Sequence, residues 1–334
     1  MTVTSTYPSG RTDRDRFVLE RRPLRPGRDP WRHQGVLVED ERAADGTIAR
    51  VATIFLTGRE CPWRCVMCDL WQHTIADDTP AGALAKQLDD ALAALQVQGS
   101  RPGHVKLYNA SNFFDPRAVP EGDYDAIAAR LTSFKHVIVE SHPALVGKRL
   151  GRFVAALARA AGGTEAPTLE IAMGLETAHP EVLRALNKGF TLEQFARAAD
   201  RLRRERATLR AFVLVGVPFV VPAEQLEWTA RSVSFAFDCG ASVVSLIPTR
   251  PGNGALEALG ATPPVLTDLE VVFERALPDA AGRLFADLWD LERFARCRSC
   301  FGARQSRLHM MNLEQCVHPP VVCRDCGTTS GQAA

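Results

Sequence analysis

Short apolar runs alternate with longer stretches of a different period along most of this chain. Runs at 51–57, 104–109, 136–140, 169–175, 209–217 and 242–247 are rich in Val, Ile and Leu, which predicts strands buried on both faces. Between them, at 82–97, 123–133, 148–161 and 223–238, apolar residues recur every three or four positions, the period of a helix lying on a core. Thr191-x-x-Gln194 opens a further helix with a capping box. Six strands alternating with helices predict parallel βα units wound right-handed, an open or closed barrel. In such a barrel the functional loops lie at the C-terminal ends of the strands. After about residue 260 the pattern changes, and 265–277 and 280–296 read as two helices.

The first run ends at Gly58 and leads into Arg59-Glu60-Cys61-Pro62-Trp63-Arg64-Cys65-Val66-Met67-Cys68-Asp69, a C-x₃-C-x₂-C loop. Three thiolates on one short loop can hold three irons of a 4Fe–4S cluster, which normally takes four. One iron is then open to an outside ligand. The competing account is a partial zinc site or unrelated core thiols. Structural zinc usually takes four ligands in CxxC pairs, and only His73 follows closely behind Cys68. At the other end, Cys297-Arg298-Ser299-Cys300 and Cys323-Arg324-Asp325-Cys326 form two CxxC knuckles. Four thiolates so spaced fit structural zinc, with a second iron–sulfur cluster as the alternative. Cys316 and His318 lie between the knuckles and could substitute or cap, while Cys239 stands alone and reads as a core thiol.

Composition sharpens the picture in two places. The chain has 334 residues, 46% hydrophobic, with a net charge of +1, so a sizeable core is available and no general pull toward nucleic acid exists. No apolar run approaches a membrane span, and the N-terminus lacks an apolar signal-peptide core. A cytoplasmic location is the expectation, and there nine cysteines point to metal or redox chemistry rather than disulfides. The chain divides into an arginine-rich extension at 1–47, partly disordered, a core at 48–258, and C-terminal helices with a four-cysteine tail at 259–334. The last eight residues read as disordered. The extension carries Arg11, Arg14, Arg16, Arg21, Arg22, Arg25, Arg28 and Arg32. A helix near 201–210 adds Arg201, Arg203, Arg204, Arg206 and Arg210. Such runs are more often a solvated face or loose arm than a binding site.

The C-x₃-C-x₂-C loop after the first strand resembles the core of the radical S-adenosylmethionine (SAM) superfamily, over roughly residues 48–258. Within the superfamily, Cys-Pro-Trp-Arg-Cys-Val-Met-Cys-Asp-Leu-Trp, with Glu140-Ser141-His142-Pro143 and Gly174-Leu175-Glu176-Thr177, is similar to the elongator-type branch. In that branch it is most similar to the radical SAM subunits of archaeosine synthases, which act on a lysine adduct of a deazaguanine base in tRNA. The resemblance implies a partial (β/α)6 TIM-like barrel. It also implies a 4Fe–4S cluster on Cys61, Cys65 and Cys68, reductive cleavage of SAM to a 5′-deoxyadenosyl radical, and hydrogen abstraction from a substrate. A one-electron donor such as flavodoxin or ferredoxin is then a partner, and tRNA is a candidate one. Met67 stands where an aromatic residue usually lies by the adenine. Asn109-Ala110-Ser111-Asn112 replaces the usual Gly-Gly-Glu-like turn, so Asn109 and Ser111 become candidate acceptors of the SAM amine. Glu140 and Glu176, ending strands, match positions that bind the ribose or amino acid part, against the alternative of rim ion pairs.

Three further readings stay open. His142 either touches substrate or is structural. The loop Pro248-Thr249-Arg250-Pro251-Gly252-Asn253-Gly254 either approaches adenine or substrate, with Arg250 on a carboxylate or phosphate, or is an ordinary turn. The substrate is either a modified tRNA base or a small molecule or peptide. A non-catalytic iron–sulfur or zinc sensor or binding protein is the alternative from another class.

Overall fold

A computed structural model describes residues 7–327. It contains one eight-stranded sheet in strictly sequential order. The strands are β1 (Gly35–Arg42), β2 (Ile48–Phe55), β3 (His104–Tyr108), β4 (His136–Glu140), β5 (Thr168–Glu176), β6 (Thr208–Val215), β7 (Val243–Pro248) and β8 (Arg283–Ala286). β1 pairs antiparallel with β2, and every other neighbouring pair is parallel. The helices are α1 (Arg11–Arg21), α2 (Ala83–Val97), α3 (Tyr124–Ala129), α4 (Lys148–Ala161), α5 (Pro180–Ala185), α6 (Leu192–Arg204), α7 (Gln225–Asp238), α8 (Ala255–Ala258), α9 (Leu266–Ala276) and α10 (Arg298–Glu314). No described helix is long and apolar enough to cross a membrane.

The six expected strands are β2–β7, and the sheet is curled into a half-barrel. Alternate residues of the strands, among them Thr53 and Phe55, Lys106 and Tyr108, Arg210, Phe212 and Leu214, and Ser245 and Ile247, face one common lumen. The opposite faces pack on helices. α4 buries Leu150, Phe153, Leu157 and Ala161 along one stripe, and each large side chain contributes about 1.5–3 kcal/mol by leaving water. The capping box at Thr191 is present in full: the Gln194 amide oxygen accepts from the Thr191 N–H, and the Thr191 hydroxyl accepts from the Gln194 N–H.

Three expectations are corrected. First, residues 7–47 are not a loose extension. Tyr7, Phe17 and Val18 fill a second core with Val66, Val182, Leu186 and Leu214, and β1 adds an edge to the sheet. Second, 280–296 is not a helix. Gly282 lies so close to Phe237 and Ser242 that a Cβ would stand 3.0 Å from the Ser242 carbonyl oxygen, which brings the chain beside β7 as β8. A short 3₁₀ turn, Leu291–Phe294, follows, and the helix proper is α10. Third, Arg210 is not on a basic helix. α6 ends at Arg204, and Arg210 lies in β6, buried in the lumen with Glu41 at 2.5 Å and Glu170 at 2.6 Å. The disorder expected of the last eight residues falls, Gly327 apart, outside the described residues.

Candidate active site at the cysteine loop

The loop begins where β2 ends, at the C-terminal face of the sheet. Gln87 from α2 fixes its start, accepting from the Thr57 N–H at 2.8 Å and donating to the Thr57 carbonyl at 2.9 Å. A Cβ on Gly58 would stand 3.3 Å from the Ala118 carbonyl oxygen, so the tight exit favours glycine. Three asparagines then hold the loop. Asn253 donates to the carbonyls of Cys65 at 3.1 Å and Cys68 at 2.7 Å. Asn187 donates to the Arg64 carbonyl at 2.9 Å. Asn112 donates to the Cys61 sulfur at 3.1 Å and accepts from the His142 N–H at 2.6 Å.

Among the described residues, Cys61, Cys65 and Cys68 do not form a group whose donor atoms all lie within 4.8 Å of one another. Burial pushes the Cys61 thiol up, partly opposed by hydrogen bonds from the Trp63 backbone and Asn112. Burial pushes Cys65 up to about 12, with the Lys188 cation opposing, and raises Cys68 as well.

Two buried charge clusters flank the loop. Glu60 sits among Arg22 at 2.6 Å, Arg64 at 3.1 Å and Arg25, and against the cost of burial these guanidiniums hold its carboxyl below the usual range. Lys188 pairs with Glu176 at 2.8 Å; burial alone would lower the lysine, and the carboxylate keeps it charged. His142 is structural. Its ring stacks on Trp63 at 3.5 Å between centroids, its Nε2–H donates to the Lys188 carbonyl at 2.8 Å, and its Nδ1 accepts from the Ala144 N–H. Burial, then Lys188, drives its pKa down to about 3, so it stays neutral.

Beside the loop lies a cavity of about 1080 Å³ that runs down the lumen. Met67, Cys68, Glu140 and Glu176 line it, together with Ala110, Thr249 and Arg250. Burial raises the Glu140 carboxyl to about 7, against hydrogen bonds from the Ala110 and Asn109 N–H groups. Asn109 and Ser111 are not on the wall. The Asn109 side chain turns under Gly58, and both its amide atoms, like the Ser111 hydroxyl, are buried without a hydrogen-bond partner among the described residues. Asn253 Oδ1 and Thr249 Oγ1 are orphaned likewise. Of these residues Thr249 alone lines the cavity, and its hydroxyl suits a polar cofactor there. Arg250 is taken: it donates to Asp287 at 2.5 Å and to the Trp289 carbonyl at 2.9 Å. At the lumen's base Lys106 pairs with Glu39 at 2.9 Å and Glu41 at 2.7 Å.

The arginine-rich arm folds over this site. Arg14 donates to the Arg184 carbonyl at 2.7 Å, Arg22 and Arg25 hold Glu60, and Arg28 donates to the Gln72 carbonyl at 3.1 Å. A Cβ on Gly254, whose φ is +84°, would lie 2.0 Å from the Arg21 carbonyl oxygen, so the end of α1 and the Asn253 loop meet only through glycine. Sequence reasoning missed Glu60, Trp63, Asn187 and Lys188. Their only signal was their place in or near the quoted motifs.

The four distal cysteines do converge. The sulfurs of Cys297, Cys300, Cys323 and Cys326 all lie within 4.8 Å of one another, and Cys297 and Cys323 are 4.0 Å apart. Tetrahedral zinc with Zn–S of about 2.3 Å needs sulfurs about 3.8 Å apart. Cys316 and His318 stand outside this knuckle and form a separate, more exposed group with Glu314. Cys239, at the end of α7, is half-buried against the core.

No family model matches the chain. It is 24% identical over 205 residues, 58% of its length, to archaeosine synthase subunit beta of Methanosarcina acetivorans, covering 56% of that protein. It is also 24% identical over 232 residues to an uncharacterized protein of Methanocaldococcus jannaschii, 66% of this chain and 61% of the relative. The chain thus spans less than two thirds of the length of these relatives. Among solved structures it is similar to methylornithine synthase, with a TM-score of 0.46, 13% identity and coverage of 69% of this chain and 64% of that one. The radical SAM methyltransferase TsrM of Kitasatospora setae gives 0.43, 17%, 62% and 38%. The archaeosine synthase relative bears out, at the level of sequence, the resemblance that the cysteine loop carries.

Proposed function

We propose that this chain is a radical SAM enzyme. The carrying observation is the half-buried three-cysteine loop, held by three asparagines, at the mouth of a cavity of about 1080 Å³. In this reading Cys61, Cys65 and Cys68 hold three irons of a 4Fe–4S cluster. When bound, the cluster and SAM would supply one-electron reductive cleavage of the sulfonium and, through it, hydrogen abstraction from substrate. The chain's own residues bind and orient SAM and keep water away. Met67, beside Cys68, offers a thioether surface for adenine. Glu140, whose carboxyl meets only backbone donors, and the oxygen of Glu176 not taken by Lys188 accept from the amine or the ribose hydroxyls. Asn109 and Ser111, buried off the cavity wall, have no part in this SAM site. Asn112 and Asn253 position the loop, and the arm seals it. The electron comes from a flavodoxin- or ferredoxin-like donor.

For the substrate, a modified tRNA base is the reading supported by the relative's name. The geometry adds a constraint: the reacting group must enter a lumen walled by the sheet. A single base turned out of RNA meets it, and so does a free small molecule. In the four-cysteine knuckle we propose structural zinc, on the sulfur spacing. The test is anaerobic incubation with SAM and dithionite, with and without bulk tRNA, followed by analysis of 5′-deoxyadenosine and of digested nucleosides. Deoxyadenosine formation that disappears in Cys65→Ala supports the enzyme; none in the wild type rejects it. A changed nucleoside selects the tRNA reading, and uncoupled cleavage alone selects a small substrate.

A further inference from the structure

An eight-stranded sheet that does not close leaves two free edges, here β1 and β8, and a gap between them. α10 fills the gap with side chains that imitate a strand. The Asn312 amide accepts from the Ala286 N–H and donates to the Ala286 carbonyl, each at 2.8 Å. The Gln315 amide does the same at Leu284, at 2.8 and 2.9 Å. Residues 284 and 286 are the alternate positions that a ninth strand would pair. On the other edge Arg42 donates to the Leu313 carbonyl at 3.0 Å, and Arg283 crosses the gap to the Arg42 carbonyl at 2.9 Å. His309 and Asn312 line the cavity, so α10 is its side wall.

The helix is anchored in two ways. Along its length Arg304 pairs with Glu270 at 2.9 Å and Arg307 with Glu274 at 2.6 Å, both on α9. At its ends the arrangement depends on the knuckle. The chain turns at Gln315, in the left-handed region at φ +56°, and runs back along the helix, its His318 and Pro319 carbonyls held by Arg307. This return brings Cys323 and Cys326 to Cys297 and Cys300, at the start of the helix. A metal there joins both ends of a helix-and-return hairpin.

We infer that metal in the four-cysteine knuckle braces the cavity's side wall: it keeps α10 seated so that Asn312 and Gln315 hold the barrel seam shut. The inference rests on the reading of the knuckle as a metal site. It separates the tail from a passive terminal clip, because the metal's effect then reaches the edge of β8.

The test is hydrogen exchange of the full-length protein with its cluster reconstituted anaerobically, zinc being measured on the same sample. The Leu284 and Ala286 amides, which donate to Gln315 and Asn312, should exchange at least about tenfold faster in Cys323→Ser/Cys326→Ser than in the zinc-loaded wild type. Amides of β3–β5 should not change. Asn312→Leu/Gln315→Leu should show the same acceleration while keeping its zinc. Should the cysteine variant not fold, wild type from zinc-depleted medium, before and after stoichiometric zinc, supplies the comparison. Bound zinc with equal exchange at 284 and 286 in both states overturns the inference and leaves the metal site standing. Acceleration confined to 298–326 overturns it too. Absence of zinc from the wild type overturns the metal reading itself, and the inference with it.

Discussion

Asn253→Ala is the sharpest probe of how the cysteine loop is held. Its amide makes two hydrogen bonds, to the carbonyls of the second and third cysteines, from a side chain that is fully buried. Each bond contributes about 1 kcal/mol net; the Cys65 carbonyl keeps the Cys68 N–H at 3.2 Å, while the Cys68 carbonyl left without a donor costs about 1–3 kcal/mol. Partial relaxation of the loop puts the total at about 2–4 kcal/mol. For a chain of this size each kcal/mol lowers Tm by roughly 2 °C, so a drop of about 4–8 °C is expected. The loop must also lose its hold on iron, because that one amide ties the Cys65 and Cys68 carbonyls to the loop after β7. The assay is iron per chain after anaerobic reconstitution, with zinc in the knuckle as internal control. Iron should fall by about half or more while zinc stays constant. Asn253→Asp should be worse than Ala, since a carboxylate either faces two carbonyl oxygens or must remain protonated. Wild-type iron content with Tm within about 1 °C in Asn253→Ala would refute the clamp.

Two further outcomes follow from the same geometry. Glu140 has a folded-state pKa of about 7 against an ordinary 4.5, so its neutral form stabilises the fold fully below about pH 4.5, and that contribution is lost as pH rises through 7. The bound is about 3 kcal/mol; Glu140→Gln should therefore gain Tm over the wild type between pH 5 and pH 8, and superimposable pH profiles would sink the assignment. Replacing Cys61, Cys65 and Cys68 together by Ala should abolish deoxyadenosine formation and leave about one zinc per chain; four irons in that variant would instead place a second cluster in the knuckle.

What was legible in the sequence was whatever repeats. β2–β7 stood out as short runs of Val, Ile and Leu, although Lys106 and Arg210 face the lumen, α4 by its regular stripe and α6 by its capping box. The cysteine loop stood out by spacing alone. β1 was hidden because its lumen face carries Glu39 and Glu41, partners of Lys106 and Arg210. A strand whose inner face is charged reads as a polar extension. β8 was hidden because it is four residues long and its Leu and Phe positions continue at helical spacing into the next turn. Asn112, Asn187 and Asn253 had no periodic signal at all, since each acts alone from a different loop. Glu140 and Glu176 looked equivalent at strand ends, and only the structure separates them: Lys188 takes one and backbone N–H groups the other.

The arm changes the argument about RNA. Eight arginines at 11–32 suggest a phosphate-binding tail, yet Arg14, Arg22, Arg25 and Arg28 bond inward. Four are left, Arg11, Arg16, Arg21 and Arg32. For single-stranded contacts the log–log salt slope is about −0.7 per phosphate neutralised. Eight contacts would give about −5.6, a loss of some two-thousandfold between 50 and 200 mM salt; four give about −2.8, roughly fiftyfold. The arm's contribution to tRNA binding should therefore be no steeper than about −3, measured as the difference in slope between the wild type and Arg11/Arg16/Arg21/Arg32→Gln. A slope difference well beyond −3 could not come from these four arginines and would refute this count of contacts. Removing residues 1–32 is not a clean version of this experiment. It would leave Glu60 buried with Arg64 as its remaining partner, and breaking a buried pair costs about 3–5 kcal/mol. Since Glu60 adjoins Cys61, the truncated chain should lose cluster iron along with any RNA affinity, whereas the four surface substitutions should leave iron content unchanged.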